Sequence, residues 1–139
     1  MDEKLVKNAI AMCEYANKKM MGVVKTDIVV NTEWTMYHHC DFKFFPKEGA
    51  CIEFGGHGNT YQRIFADKVT EYGGWCGDEN VYTKVKGSIM FVDGKRAKVA
   101  PDHLFREDMI RAAIVKWETI KRNIENAVMT EKMIEEFDL

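Results

Sequence analysis

Pro101-Asp102 opens a stretch that runs to Leu139 without a glycine or a second proline. Proline fixes φ, and an aspartate side chain accepts hydrogen bonds from the first free N–H groups of a helix, so the pair predicts a helix start. An unbroken helix over 102–137 would be about 50 Å long. A domain of 139 residues is only about 35–40 Å across. The helix must therefore bend or reach beyond its own domain. Phe105, Met109, Ile110, Ala113, Ile114, Trp117, Ile120, Ile124, Ala127 and Val128 give it a broad apolar stripe. The stripe fades after Val128, where Thr130 is placed to cap a separate last turn. That pattern predicts a kink near Met129-Thr130.

Two other regions precede it. Over 2–21, Leu5, Val6, Ala9, Ile10, Met12, Cys13, Ala16 and Met20 recur mostly at spacings of three and four, and Gly22 follows. This predicts an amphipathic helix ended by glycine. From 23 to 99 the apolar period changes to two, as in Trp34, Met36, His38, Cys40, Phe42 and Phe44. Five or six short strands are expected, including one over 60–69 and a two-residue hairpin turn at Asp93-Gly94. Strands joined by turns, with no helix between them, imply an antiparallel sheet. The expected fold class is α+β, a single domain over 1–139: an N-terminal helix, an antiparallel core over 23–99, and a long kinked C-terminal helical segment over 102–137.

Composition narrows the function classes. A formal net charge of −2 with 30% charged and 46% hydrophobic residues argues against a nucleic-acid mimic and against a basic nucleic-acid binder. The charged start Met1-Asp2-Glu3-Lys4 lacks an apolar leader core, and no run reaches the roughly 18 apolar residues of a membrane span. Together with four cysteines, this gives an expectation of reduced thiols, a cytoplasmic location and no membrane partner.

Side chains with chemical potential are present, without a decisive motif. His38, His39, Cys40, Cys51, His57 and Cys76 include zinc-ligand types, yet none shows CxxC or HxxxH spacing, so no metal is expected. The glycine clusters at 55–59 and 73–78 lack the lysine and helix start of a phosphate loop, so no cofactor is expected either. No nucleophile triad or catalytic carboxylate pair is legible, so the expected protein is not an enzyme.

Electrostatics supply the remaining lead. Lys84, Lys86, Lys95, Arg96 and Lys98 cluster in sequence ahead of Arg106 and Arg111. They read either as a solvated sheet edge or as an anion site in which arginine binds phosphate. Arg63, in mid-sheet, needs a partner. A nearby ring from Tyr61, Phe65, Trp75 or Tyr82 would suit stacking on a base. The candidate ligand-binding set is Arg63, Phe65, Trp75, Tyr82, Arg96, Arg106 and Arg111.

In layout, over about 23–139, the chain resembles phage anti-defence proteins of the Thoeris anti-defence sponge type. The resemblance implies a homo-oligomer that sequesters a small anionic, nucleotide-like signal between β core and C-terminal helix without turning it over. Three alternatives remain open. One is a protein-binding inhibitor of a host protein, of the anti-CRISPR type, marked by an exposed aromatic patch. Another is a helix-grip binder of an apolar ligand. The last is a small enzyme with an untypical site.

Overall fold

The computed structural model describes residues 1–36, 38–56, 60–73 and 77–137. Its fold is α+β, with an N-terminal helix, an antiparallel sheet and a long C-terminal helix. Helix α1 spans Glu3–Met20. Asp2 caps it, accepting from the N–H groups of Lys4 and Leu5, and Gly22 at φ +77° takes the chain out of it.

Among the described residues eight strands follow: β1 (Ile28–Trp34), β2 (His39–Phe45), β3 (Gly49–Gly55), β4 (Tyr61–Phe65), β5 (Lys68–Gly73), β6 (Asp78–Lys84), β7 (Phe91–Asp93) and β8 (Lys98–Val99). They pair in sequence order as one antiparallel meander. The count exceeds five or six partly because 60–69 is not one strand. It breaks at Ala66-Asp67 into β4 and β5, which pair with each other from Tyr61↔Tyr72 to Ile64↔Val69.

The Asp93-Gly94 hairpin forms with a wider turn than expected. Asp93 pairs with Lys98, so four residues lie between the strands. The Asp93 carboxylate accepts from the N–H groups of Lys95 and Arg96, at 2.9 and 3.3 Å, and Ala97 takes the left-handed conformation at φ +52°. An aspartate that satisfies two turn amides favours this longer loop over a two-residue turn.

The described helices pack on one face of the sheet. The apolar row there comprises Val30, Phe42, Ile52, Ile64, Val69 and Tyr82, one from each of β1 to β6. Against it lie Val6, Ala9, Cys13 and Ala16 of α1, together with Ile110 and Ala113 of α2 (Glu107–Val115). Helix α3 (Trp117–Phe137) adds the buried Ile120 and Ile124.

The C-terminal segment starts and bends at places other than those expected. A single 3-10 turn occupies Asp102–Leu104, and the α-helix begins only at Glu107. Asp102 makes no cap hydrogen bond to that turn; it lies 3.5 Å from the Met1 ammonium. The break falls at Lys116, whose N–H is shared among the carbonyls of Ala112, Ala113 and Ile114. It lets α2 follow the sheet while Trp117 sets its ring edge-on against Tyr15 and Phe42, at 5.3 and 6.3 Å. At the expected kink, Thr130 donates its hydroxyl to the Asn126 carbonyl one turn back, and the helix continues.

Candidate functional site

The other face of the sheet carries a polar cluster. Strand alternation and register place His39, Asp41, Lys43 and Phe45 of β2, Cys51 and Glu53 of β3, Tyr61, Arg63 and Phe65 of β4, and Thr70 and Tyr72 of β5 on this side. No described helix lies over it.

Glu53 is the hub. It is only 4% exposed, and a carboxylate so buried must be paired to remain charged. Its Oε2 accepts from Arg63 Nε at 2.7 Å, across a directly opposed strand pair. Its Oε1 lies 2.9 Å from Lys43 Nζ and 3.2 Å from His39 Nε2. Burial by itself would push the Glu53 carboxyl up; hydrogen bonds from Lys43, Arg63 and His39 outweigh that and hold it below the ordinary glutamate value. Arg63 is affected the opposite way. Burial pulls its pKa down, and the Glu53 hydrogen bond and charge more than reverse this, so it stays cationic.

Aromatic rings enclose Arg63. Its guanidinium carbon lies 4.8 Å from the Phe45 ring centre and 4.5 Å from that of Tyr61. Tyr61 in turn stacks on Tyr72, with centroids 4.9 Å apart and planes inclined by 22°. The sequence Phe45, Arg63, Tyr61, Tyr72 forms a ladder of flat groups crossing β2, β4 and β5. Among the described residues, the terminal guanidinium nitrogens have no hydrogen-bond partner. Gly55 lies beside this ladder, and a Cβ there would land on the His39 ring unless the ring moved.

His39, Asp41 and Glu53 bring one ligand atom each within 4.8 Å of one another. Lys43 and Arg63 already compensate both Glu53 oxygens, so a divalent cation would have to displace an ammonium or a guanidinium. The arrangement works as an ion-pair network.

The seven residues expected at the site are dispersed. Arg63 is at its centre, and Phe65 shares its face, buried under Lys68, whose ammonium is 4.7 Å from the ring. Tyr82 belongs to the opposite, helix-covered row. Arg96 lies in the β7–β8 turn, bonded to Asn80 and near Asp93. Arg106 is tied to Asp108 through two hydrogen bonds. Arg111 lies between Asp2 and Glu107, at 3.8 and 4.0 Å. Trp75 lies outside the described residues, as do Cys76 and His57.

Sequence reasoning missed Glu53, Lys43, Phe45 and Tyr72 as members of the site. One signal was available: Glu53 is the single charge in an otherwise apolar and glycine run, 49–56. The described cysteines offer little nucleophilic chemistry. Burial pushes Cys40 up to about 12 and raises Cys13 and Cys51 well above the ordinary thiol value. Comparison with protein-family models, with curated proteins and with solved structures finds no match to this chain.

Proposed function

We propose that the protein is a non-enzymatic, homo-oligomeric binding protein that sequesters a small, ring-bearing anion of the nucleotide class, with Arg63 as its anchor. One observation carries this reading: a guanidinium flanked by two rings, aligned by a buried carboxylate through Nε, with its terminal donors left for a ligand. Arginine held in this way binds phosphate in a forked geometry, and the neighbouring tyrosine ladder offers flat surfaces to a base. The ligand position in this reading is the uncovered sheet face. The space between sheet and C-terminal helix is filled by Phe42, Ile52, Ile64 and Ile110. Capture without turnover suits a site whose ionised groups are paired with one another and whose nearest thiol, Cys51, is held protonated. A counter-defence role would follow from capture of a signalling nucleotide.

Titration calorimetry with cyclic mononucleotides and dinucleotides tests this, with inorganic phosphate as the ring-free control. The expected result is saturable nucleotide binding that Arg63→Ala weakens at least tenfold while leaving the fold intact by circular dichroism. Absence of heat with every nucleotide, or binding indifferent to Arg63→Ala, would overturn the reading.

A second reading has its own observation. Trp34 and Met36 are strongly exposed where β1 turns toward β2. An exposed tryptophan beside an exposed methionine suits a protein contact. Under that reading the partner is a host protein, and Trp34→Ala, unlike Arg63→Ala, abolishes its capture.

A further inference from the structure

The charges around Arg63 limit the charge of its ligand. Arg63 and Lys43 lie on the same uncovered face, and each is tied to Glu53, at 2.7 and 2.9 Å. Among the described residues Glu53 is the one ion-pair partner of either cation. Both keep donors to spare, because the guanidinium retains its terminal nitrogens and an ammonium carries three protons. Their side chains are 19% and 21% exposed, so a ligand reaches both. Contact with the two oxygens of one carboxylate holds their donor nitrogens within about 8 Å of each other, a span that one phosphate bridges with a hydrogen bond at each side.

Two positive side chains thus share a single buried negative one, and the surplus offered to a ligand is one charge. Asp41 offsets even that at longer range. Its carboxylate accepts from Asn31 Nδ2 at 2.9 Å and lies 3.8 Å from His39 Nε2. With His39 neutral, the group formed by Lys43, Arg63, Glu53 and Asp41 has no net charge. Elsewhere on the face Lys68 is paired with Glu48 at 3.1 Å, and Glu79 stands opposite Tyr72. Attraction to such a site grows in proportion to the charge of the ligand, whereas the cost of drawing that charge out of water grows with its square. One negative charge meets the surplus of Lys43 and Arg63. A second finds no partner and is repelled by Glu53 and Asp41.

We infer that the Arg63 site selects a phosphodiester, with one negative charge per phosphate, over a terminal phosphate monoester with two, and that Lys43 is its second phosphate contact. The inference rests on the reading of Arg63 as a nucleotide anchor and narrows the ligand class within it. Nucleotides joined or closed through a phosphodiester fit the site, and those ending in a free phosphate do not. Specificity of this kind is a difference of affinities produced by repulsion as much as by attraction, and the repelling groups here are Glu53 and Asp41.

Calorimetry at about pH 8.5, above the usual range of histidine protonation, compares each ribonucleoside 5′-monophosphate with its phosphate methyl ester. Each pair differs by one methyl group and one negative charge. The expected result is that at least one ester binds about tenfold or more tightly than its parent, and that Lys43→Gln weakens it by about fivefold or more. Asp41→Asn returns one charge to the face and should shrink the preference several-fold, while its amide oxygen still accepts from Asn31; circular dichroism checks the fold. A monophosphate that binds as tightly as its ester overturns the charge filter and leaves Arg63 standing as an anchor. A preference unchanged in Asp41→Asn does the same, since the methyl contact would then be its cause. Ester binding indifferent to Lys43→Gln removes Lys43 as a contact. Absence of heat with every ester and monophosphate overturns this inference, and the Arg63 reading falls with it only where the cyclic nucleotides are silent too.

Discussion

Arg63 and Glu53 occupy directly opposed positions on β4 and β3, and the arginine Nε donates to the glutamate Oε2 at 2.7 Å. The pair joins the fold to the candidate site: the same carboxylate that holds the guanidinium also neutralises Lys43 and faces His39.

Glu53→Gln is expected to cost about 2–4 kcal/mol, since two cations lose a buried counter-charge. Its pH dependence has a definite sign. The folded carboxyl titrates below the ordinary value of 4.5, so its stabilisation is fully present above that value and is lost as pH falls through the lowered one. Urea midpoints of wild type and Glu53→Gln should therefore differ most near neutrality and converge in acid. A constant gap down to about pH 3 would contradict the assignment.

Gly55→Ala tests the approach of His39 to β3. The added methyl would collide with the imidazole, which is partly exposed and swings away more readily than the strand moves. A loss of about 1 kcal/mol is expected, or a few degrees in Tm. In nuclear magnetic resonance spectra, the wild-type contact between the His39 ring and the Gly55 Hα protons should disappear in the variant. Its persistence at the remaining Hα of the substituted residue would show that the strand had yielded instead.

Asn17 fastens α1 to the β2–β3 turn: its Oδ1 accepts the Ala50 N–H at 2.7 Å, and Gly49 beside it sits at φ +97°. Asn17→Ala leaves that amide unsatisfied, at about 1–3 kcal/mol. Asn17→Asp keeps an acceptor oxygen and should recover more than half of the loss. Denaturant unfolding of the three proteins decides, and equal losses in both variants would remove the hydrogen bond as the cause.

Cys13, Cys40 and Cys51 are buried thiols with raised pKa values. At about pH 8 an aromatic disulfide reagent should leave these three unmodified in the native protein and label them all in denaturant. Peptide mass mapping after a short exposure reads each position. Rapid native labelling of Cys51 would show that the uncovered face opens more than its burial implies.

Much of this architecture was legible because it is local. The three-and-four spacing of Leu5 to Met20 gives α1 directly, and the alternation around Phe42 and Phe44 gives β2 and its covered face. The break at Lys116 was not legible, because the cause is tertiary: Trp117 docks on Tyr15 and Phe42, distant in sequence. The site was half legible. A mid-sheet arginine had to have a partner, but the pairing register of β3 and β4 chose Glu53, and alternation alone does not specify that register. Arg106 and Arg111 looked like part of a basic surface because their neighbours in sequence are basic. In space, Asp108, Asp2 and Glu107 neutralise them.

Every strand of the meander pairs with its neighbour in sequence, so the sheet can zip up hairpin by hairpin with little loop-closure entropy at each step. Helix α1 is the exception. Its first turn meets the start of α2 through the Asp2 N–H and Glu107, 105 positions apart. The contact that closes this long loop is the docking of the two ends of the chain against each other. Until that happens the row from Val30 to Tyr82 stands open to solvent, and a nascent chain still lacking α2 and α3 is the species most exposed to aggregation.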